Sequence, residues 1–330
     1  MLGFVEDALL EQERAGAGLF GAMEAAVDEI FDQGFKNVIF LGIGGSYSAA
    51  MIADWLVRTH STLPFSIANA GELVFEGDVR LGAETVVFTY SVSGDTPELL
   101  AAVEKCKAAG ARVYAVIERK GTPLEPLVDR VIAYANGGYY KTIYFIIRMM
   151  FRWGDFPLYE RLRDCISQLP EIIMQASRQI DVKALDFARR YGDAQLCYLV
   201  GSGLSWGCTY CLAMCYLEEM QWMRTKSIRA AEFFHGTLEV IEKGVCVMLL
   251  KGEDASRPEM DRVERFCRRV TDDVVVFDAA DYLPDNIDPE LRPYLSPFVF
   301  HALQERLLHN LEAANKHPAE LRRYYRQIKY

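Results

Sequence analysis

The chain has 330 residues, about half apolar and a quarter charged, enough to bury one large α/β core or two modest domains. Its formal net charge is −10 and no run of Lys or Arg offsets it, so the basic face that a nucleic-acid partner needs is missing. Eight cysteines (Cys106, Cys165, Cys197, Cys208, Cys211, Cys215, Cys246, Cys267) include a C-x-x-C, but no matching Cys or His pair accompanies it. They read as buried thiols in a reducing cytoplasm, and no metal-spaced ligand set is present.

The opening segment is acidic and lacks a basic leader region, so it reads as an N-terminal helix within residues 1–36 and not as a signal peptide. "NVIFLGIGGSYSAAMIADWLV" (37–57) reads as a buried strand, a Gly-rich turn and a helix. A second apolar strand, 85–90, runs into "SVSGDT", where Ser91, Ser93 and Thr96 set three hydroxyls around Gly94 before a helix over 97–109. Hydroxyls and free backbone N–H groups at a helix start suit a phosphate. Taken alone, an ordinary Ser N-cap accounts for the same residues. Strands at 111–118 and 128–135 complete the alternation, which predicts a parallel sheet covered on both faces.

The pattern then returns. Gly42, Gly44 and Ser46 recur as Gly201, Gly203 and Ser205, each 159 residues on, and "GVCVMLLKGEDASRPEMDRVERFC" follows at almost the offset of "TVVFTYSVSGDTPELLAAVEKC". "DDVVVFDAADY" closes the second set. The period is domain-sized, so one α/β domain is repeated in tandem. The expected organisation is an N-terminal helix (1–36), a first domain (37–153), a helical connector (154–181), a second domain (182–310) and a tail (311–330). Residues 198–217 are uncharged and long enough to span a bilayer, but Gly201, Ser202, Gly203 and Ser205 break them into strand, turn and helix. No membrane partner is expected.

The two copies differ where it matters for a ligand. In the second, the hydroxyl-rich loop has become "LLKGEDAS", with Lys251, Glu253 and Asp254, so only the first copy keeps an anion cradle. "GIGGSYS" is not a P-loop, since no Gly-Lys-Ser/Thr follows. It also lacks the third glycine of a dinucleotide fingerprint, and no acidic residue closes the next strand at "PFSIANAGE". A small phosphorylated ligand held by Ser46, Ser91, Ser93 and Thr96 fits better.

Strand-"GIGGS"-helix followed by strand-"SVSGDT"-helix resembles the sugar isomerase (SIS) domain, and its tandem copy resembles the double-SIS architecture. That resemblance implies two flavodoxin-like, doubly wound parallel sheets. It also implies that Gly44, Gly45, Ser46, Ser91, Ser93, Gly94 and Thr96 hold the phosphate of a hexose 6-phosphate.

In "LEEMQWMRTKSIRAAEFFHGTLEVI" (217–241) the residues alone read as the end of a long helix, 209–223, and a loop. Glu219 closes the uncharged run beside Met220, Trp222 and Met223, where an apolar setting would raise a carboxylate pKa toward that of a general base. His235 taken alone is a loop histidine. "EMQW…EFFHG" is similar to the double-SIS aldose–ketose enzymes, and most to the sugar–amino-acid 6-phosphate deglycases. The ending "KHPAELRRYYRQIKY" also resembles theirs.

The resemblance implies that Glu219 moves the proton, that His235 opens the sugar ring, and that His235 reaches a neighbouring subunit's site in a homodimer. Lys141 and Thr142 fall where relatives bring a loop toward the sugar, and Glu232 and His317 are further candidate contacts. Lys329 is given no catalytic role, and His60, His301 and His309 are read as structural or surface groups. Position 2 is Leu, not the Cys of a glutaminase, so glutamine-dependent amination is not expected. No metal or organic cofactor is called for. The expected activity is cleavage of a 6-phosphorylated Amadori compound to glucose 6-phosphate and a free amine, in the cytoplasm. The alternatives are a phosphosugar isomerase or deaminase, or a non-catalytic sensor. The sensor is disfavoured because some 36 residues before the first strand are too few for a helix-turn-helix domain.

Overall fold

Segments of five to seven residues, most of them apolar runs, become parallel strands in two separate sheets. The computed structural model describes residues 5–329, so residues 1–4, with the Leu2 position, lie outside the description. The chain forms two compact units, one of Leu10–Pro170 and one of the residues up to Leu9 with Glu171–Tyr330.

In the first unit the sheet comprises β1 (Asn37–Gly42), β2 (Phe65–Asn69), β3 (Thr85–Ser91), β4 (Arg112–Ile117) and β5 (Arg130–Tyr134). Their order is β2-β1-β3-β4-β5 and every pair is parallel. β3 is buried along its whole length, because helices cover both faces, and it therefore reads as a continuous apolar run. Phe40 of β1 lies opposite Phe88 of β3, and Phe145 of the helix Tyr140–Trp153 stacks on Phe88 at 3.9 Å between ring centroids. Truncating such a ring costs about 3–5 kcal/mol. The strand order reverses between β1 and β3, which opens the crevice where open α/β sheets take ligands.

The second unit repeats the plan with β6 (Cys197–Gly201), β7 (Thr225–Arg229), β8 (Cys246–Lys251) and β9 (Val274–Asp278), ordered β7-β6-β8-β9 and all parallel. Both sheets are thus flanked by helices in a tandem doubly wound arrangement. Cys197 and Cys246 face each other across β6 and β8 with sulfurs 3.0 Å apart. Their mutual hydrogen bond and burial push the Cys197 thiol pKa up, and all eight cysteines are free.

Four local readings need correction. The N-terminal region holds two helices, Glu6–Ala17 and Phe20–Gln33, with Gly18 in the break between them. The connector helix Leu169–Tyr191 runs well past residue 181. The expected helix over 209–223 starts at Ser205, is α-helical to Cys211, widens to a π-helix over Leu212–Glu218, and resumes as α at Glu219–Gln221. What read as loop after it contains strand β7. Among the described residues no helix is long and apolar enough to cross a membrane.

Candidate active site

The turn after β1 is fixed by close approach. A Cβ on Gly42 would lie 2.6 Å from the backbone nitrogen of Tyr47, and Gly44 sits at φ +59°, so both positions require glycine. Ser46, in the first turn of the helix Gly45–His60, donates its hydroxyl to the Ile43 carbonyl and accepts the Ile43 N–H, both at 2.9 Å. The Tyr90 hydroxyl donates to the Gly45 carbonyl at 2.9 Å, tying this turn to β3.

The second copy has the same fastening. Ser205 donates to the Ser202 carbonyl at 2.7 Å and accepts the Ser202 N–H at 3.2 Å. The bond therefore belongs to the shared turn and is present with or without a hydroxyl cradle. Ser46 is a poor discriminator of ligand, since its one donor is used locally.

The serine loop offers more. Ser91 accepts the Gly94 N–H at 2.9 Å, and Gly94 sits at φ +64° with its carbonyl accepting the Leu124 N–H. Ser93 is half-buried and engaged within the structure. Thr96 is the N-cap residue of the helix Pro97–Ala108, yet its side chain makes no capping bond, leaving the hydroxyl for another acceptor. Backbone donors of that helix start lie beside it.

In the second copy an acidic side chain takes the corresponding place. Three more residues separate Gly252 from Pro258 than separate Gly94 from Pro97. The longer loop turns Asp254 inward, where it is only 5 % exposed. Its carboxylate accepts the Leu204 N–H at 3.0 Å, at the N-cap of the helix Ser205–Cys211, and the Ser256 N–H at 2.8 Å. Ser256 bridges onward to Ser202. The protein thus supplies its own anion to the second switch point, whereas Asp95 in the first copy's loop is exposed.

Lys141 and Thr142 lie in the first turn of the helix Tyr140–Trp153 and not on a loop. Lys141 is 4 % exposed, with its amine 4.1 Å from the centre of the Tyr90 ring. Burial pulls its pKa down to about 8 against the opposing charge of Glu118. The Thr142 hydroxyl is buried and has no hydrogen-bond partner.

Glu219 departs from the expected apolar setting. Its carboxylate is about a third exposed and ion-paired with Arg322, whose Nε and Nη2 both donate to Oε1, at 3.2 and 2.9 Å. One turn earlier, Cys215 has its thiol pKa pushed up by a hydrogen bond with Cys211 and by burial, with the Glu219 and Glu218 charges adding, so it is no ready nucleophile. Tyr216 donates to Glu305 at 2.9 Å.

His235 and Glu232 are exposed, joined by the His235 N–H donating to the Glu232 carbonyl at 3.0 Å. Among the described residues no hydrogen bond, ion pair or ring contact links His235 to Glu219. His317 packs its ring 4.2 Å from that of Trp222, and its buried Nε2 has no hydrogen-bond partner. Arg322 is the residue missed from sequence. Its signal was the "RRY" of the tail, which carried a resemblance but no assigned role. Among the described residues no cluster of three or more His, Cys, Asp or Glu could hold a metal.

Residues 33–138 match the SIS domain family. The chain is 27 % identical over 321 residues to fructosamine deglycase FrlB of Bacillus subtilis (strain 168), covering 93 % of this chain and 97 % of that one. It is 26 % identical over 308 residues to fructoselysine 6-phosphate deglycase of Escherichia coli (strain K12), covering 92 % and 89 %. A Bacillus subtilis crystal structure described as a candidate phosphosugar isomerase superposes with a TM-score of 0.89 at 26 % identity, over 96 % of this chain and 99 % of that one. With the two parallel sheets, these matches identify a SIS domain in the first copy and make the chain similar along nearly its whole length to proteins named as sugar-amine deglycases.

Proposed function

We infer that the protein is a deglycase acting on a 6-phosphorylated Amadori compound. The observation that carries this reading is the similarity to two deglycases across more than nine-tenths of the chain. The two switch points support a phosphorylated ligand. The second is occupied by the protein's own Asp254, and the first keeps the Thr96 hydroxyl and the helix start at Pro97 for an outside anion.

The phosphate is held by Gly44, Gly45, Ser91, Ser93, Gly94 and Thr96, with Ser46 shaping the turn. Binding energy from this remote group positions C1 and C2 of the open-chain sugar. Glu219 takes a proton from C1, the carbon bearing the amine, and a proton is returned to C2, so the C2 ketone becomes an alcohol and a C1=N imine forms. Water adds at C1, the C–N bond breaks with proton transfer to nitrogen, and glucose 6-phosphate and the free amine leave. Acid–base steps of this kind contribute about 10²- to 10⁴-fold each. His235 opens the cyclic sugar by proton transfer at the ring oxygen or hydroxyl. Its exposure accords with a homodimer in which it completes the site of a second copy. Lys141, Thr142, Glu232 and His317 are further candidate substrate contacts. A phosphorylated substrate and eight free thiols suit the cytoplasm.

The test is hexose 6-phosphate release from fructoselysine, glucoselysine, fructose-aspartate and fructose-asparagine 6-phosphates (glucose 6-phosphate from the fructose-type adducts, fructose 6-phosphate from glucoselysine), with fructose 6-phosphate and glucosamine 6-phosphate alongside as substrates. Turnover of an adduct is expected. Interconversion of a plain hexose phosphate with silence on all adducts would make the protein an isomerase or deaminase, and binding without any turnover would make it a sensor.

A further inference from the structure

The segment that carries Glu219 is interlocked with the C-terminal tail through several independent contacts. Trp222, the residue directly after the short helix Glu219–Gln221, is held in the left-handed region at φ +55°, which a bulky residue adopts only when its surroundings impose it. Those surroundings are the tail. The His317 ring lies against one part of the Trp222 indole, and the Arg323 guanidinium sits 4.0 Å from its ring centre. Gln221 donates to the His317 carbonyl at 3.1 Å. The tail itself leaves the helix Ser296–Asn315 through Lys316, at φ +53°, and is tied back by the Ala319 N–H donating to Glu312 at 2.7 Å.

Arg322 is the product of this arrangement. Its Nη1 donates to the carbonyls of Ala319 and Leu321, which fixes the guanidinium plane from its own tail. The remaining edge, Nε and Nη2, converges on a single oxygen of Glu219 across 103 residues of sequence. A bidentate carboxylate pair would engage both oxygens, one per nitrogen. Here both donors take Oε1, so the carboxylate is oriented while Oε2 remains available to a substrate proton. The guanidinium is 15 % exposed, so the pair is partly shielded from water, and its geometry is set by backbone carbonyls, not by a mobile side-chain partner.

We propose that Arg322 is the positioning residue for Glu219, and that residues 316–323 form a clasp whose task is to present it. This rests on the reading of Glu219 as the group that moves the C1 proton. The tail is then part of the active site through Arg322, and the Trp222–His317–Arg323 stack is what holds the clasp shut.

The proposal is tested by steady-state kinetics of Arg322→Gln and Arg322→Lys beside Glu219→Gln, on whichever adduct of the panel the wild-type enzyme turns over. The Kd for glucose 6-phosphate and the melting temperature are measured for each variant. Misplacing a reacting group costs up to about 100-fold. Arg322→Gln is therefore expected to lower kcat by about 10- to 100-fold with Kd within about twofold of wild type, and Arg322→Lys to recover part of kcat. If Arg322→Gln does not fold, a folded Arg322→Lys that loses kcat without losing binding supports the proposal alone. Full kcat in either variant, with Glu219→Gln inactive, overturns the proposal and leaves the deglycase reading standing. Equal loss of kcat and binding also overturns it, since Arg322 would then only hold the fold. Full activity in Glu219→Gln, or no turnover on any panel member, instead removes the reading beneath it.

Discussion

Asp254 accepts the backbone N–H of Leu204, placing a carboxylate from the protein itself at the start of the helix Ser205–Cys211. The equivalent helix start in the first copy, at Gly45, faces a loop whose acidic residue is exposed and whose hydroxyls are Ser91, Ser93 and Thr96. The second copy thus fills its turn from within with a carboxylate, while the first carries hydroxyls in the corresponding loop. Asp254→Ala leaves the Leu204 and Ser256 donors buried without their acceptor, which costs about 1–3 kcal/mol. A lower melting temperature with an unchanged Kd for glucose 6-phosphate is the expected result; an unchanged melting temperature would show that the carboxylate does not hold the second turn.

Ser46 and Thr96 separate by the same logic. Ser46→Ala removes a fastener that both copies share and is expected to cost about 1 kcal/mol of stability with little effect on ligand affinity. Thr96→Val removes a hydroxyl that makes no capping bond, so stability should hold while the Kd for glucose 6-phosphate rises about 10-fold. Thermal melts and calorimetric titrations of the two variants check the crossover, and the opposite pattern would assign the phosphate to Ser46.

Gly94 permits no side chain. Its φ of +64° disfavours any Cβ, and the Cβ it would carry lies 2.5 Å from that of Thr122. Gly94→Ala should destabilise the protein by more than about 1 kcal/mol and weaken phosphate binding by displacing the loop. Normal affinity in that variant would detach the loop from the ligand.

Lys141 gives a pH signature. Burial brings its amine to a pKa of about 8, from an ordinary value of 10.5. Between those values the unfolded chain binds the proton and the folded protein does not, so this group's contribution to stability rises with pH through that window. Below about 8 the cost of burying the charge is present in full. Lys141→Met should therefore melt above wild type at pH 7 by several degrees, and the gap should narrow as pH approaches 10.5. A gap independent of pH would mean that burial does not lower the amine's pKa in the folded protein.

Most of the fold was legible because buried parallel strands read as apolar runs and the Gly-x-Gly-x-Ser turn recurs at a fixed offset. The strands that escaped are edge strands. β2 is half-buried at every residue, and β7, "TKSIR", carries two charges with two residues exposed, so neither shows a continuous run or a clean alternation. The π-helical stretch before Glu219 was hidden because apolar residues such as Leu212, Ala213 and Leu217 fit a period of 3.6 as well as a wider turn. The hydroxyls proposed to hold the phosphate are visible in "SVSGDT" itself. Arg322 could not, since its meeting with Glu219 depends on how the tail folds back, and nothing in local pattern encodes a pairing 103 residues apart.

In the proposed reaction the first copy binds the phosphate and Glu219 performs the chemistry. The most direct measurement is hexose 6-phosphate release from the preferred adduct by Glu219→Gln, with Kd for glucose 6-phosphate taken on the same preparation. Unchanged affinity with turnover reduced by at least about 100-fold is expected. Turnover near the wild-type rate would contradict it.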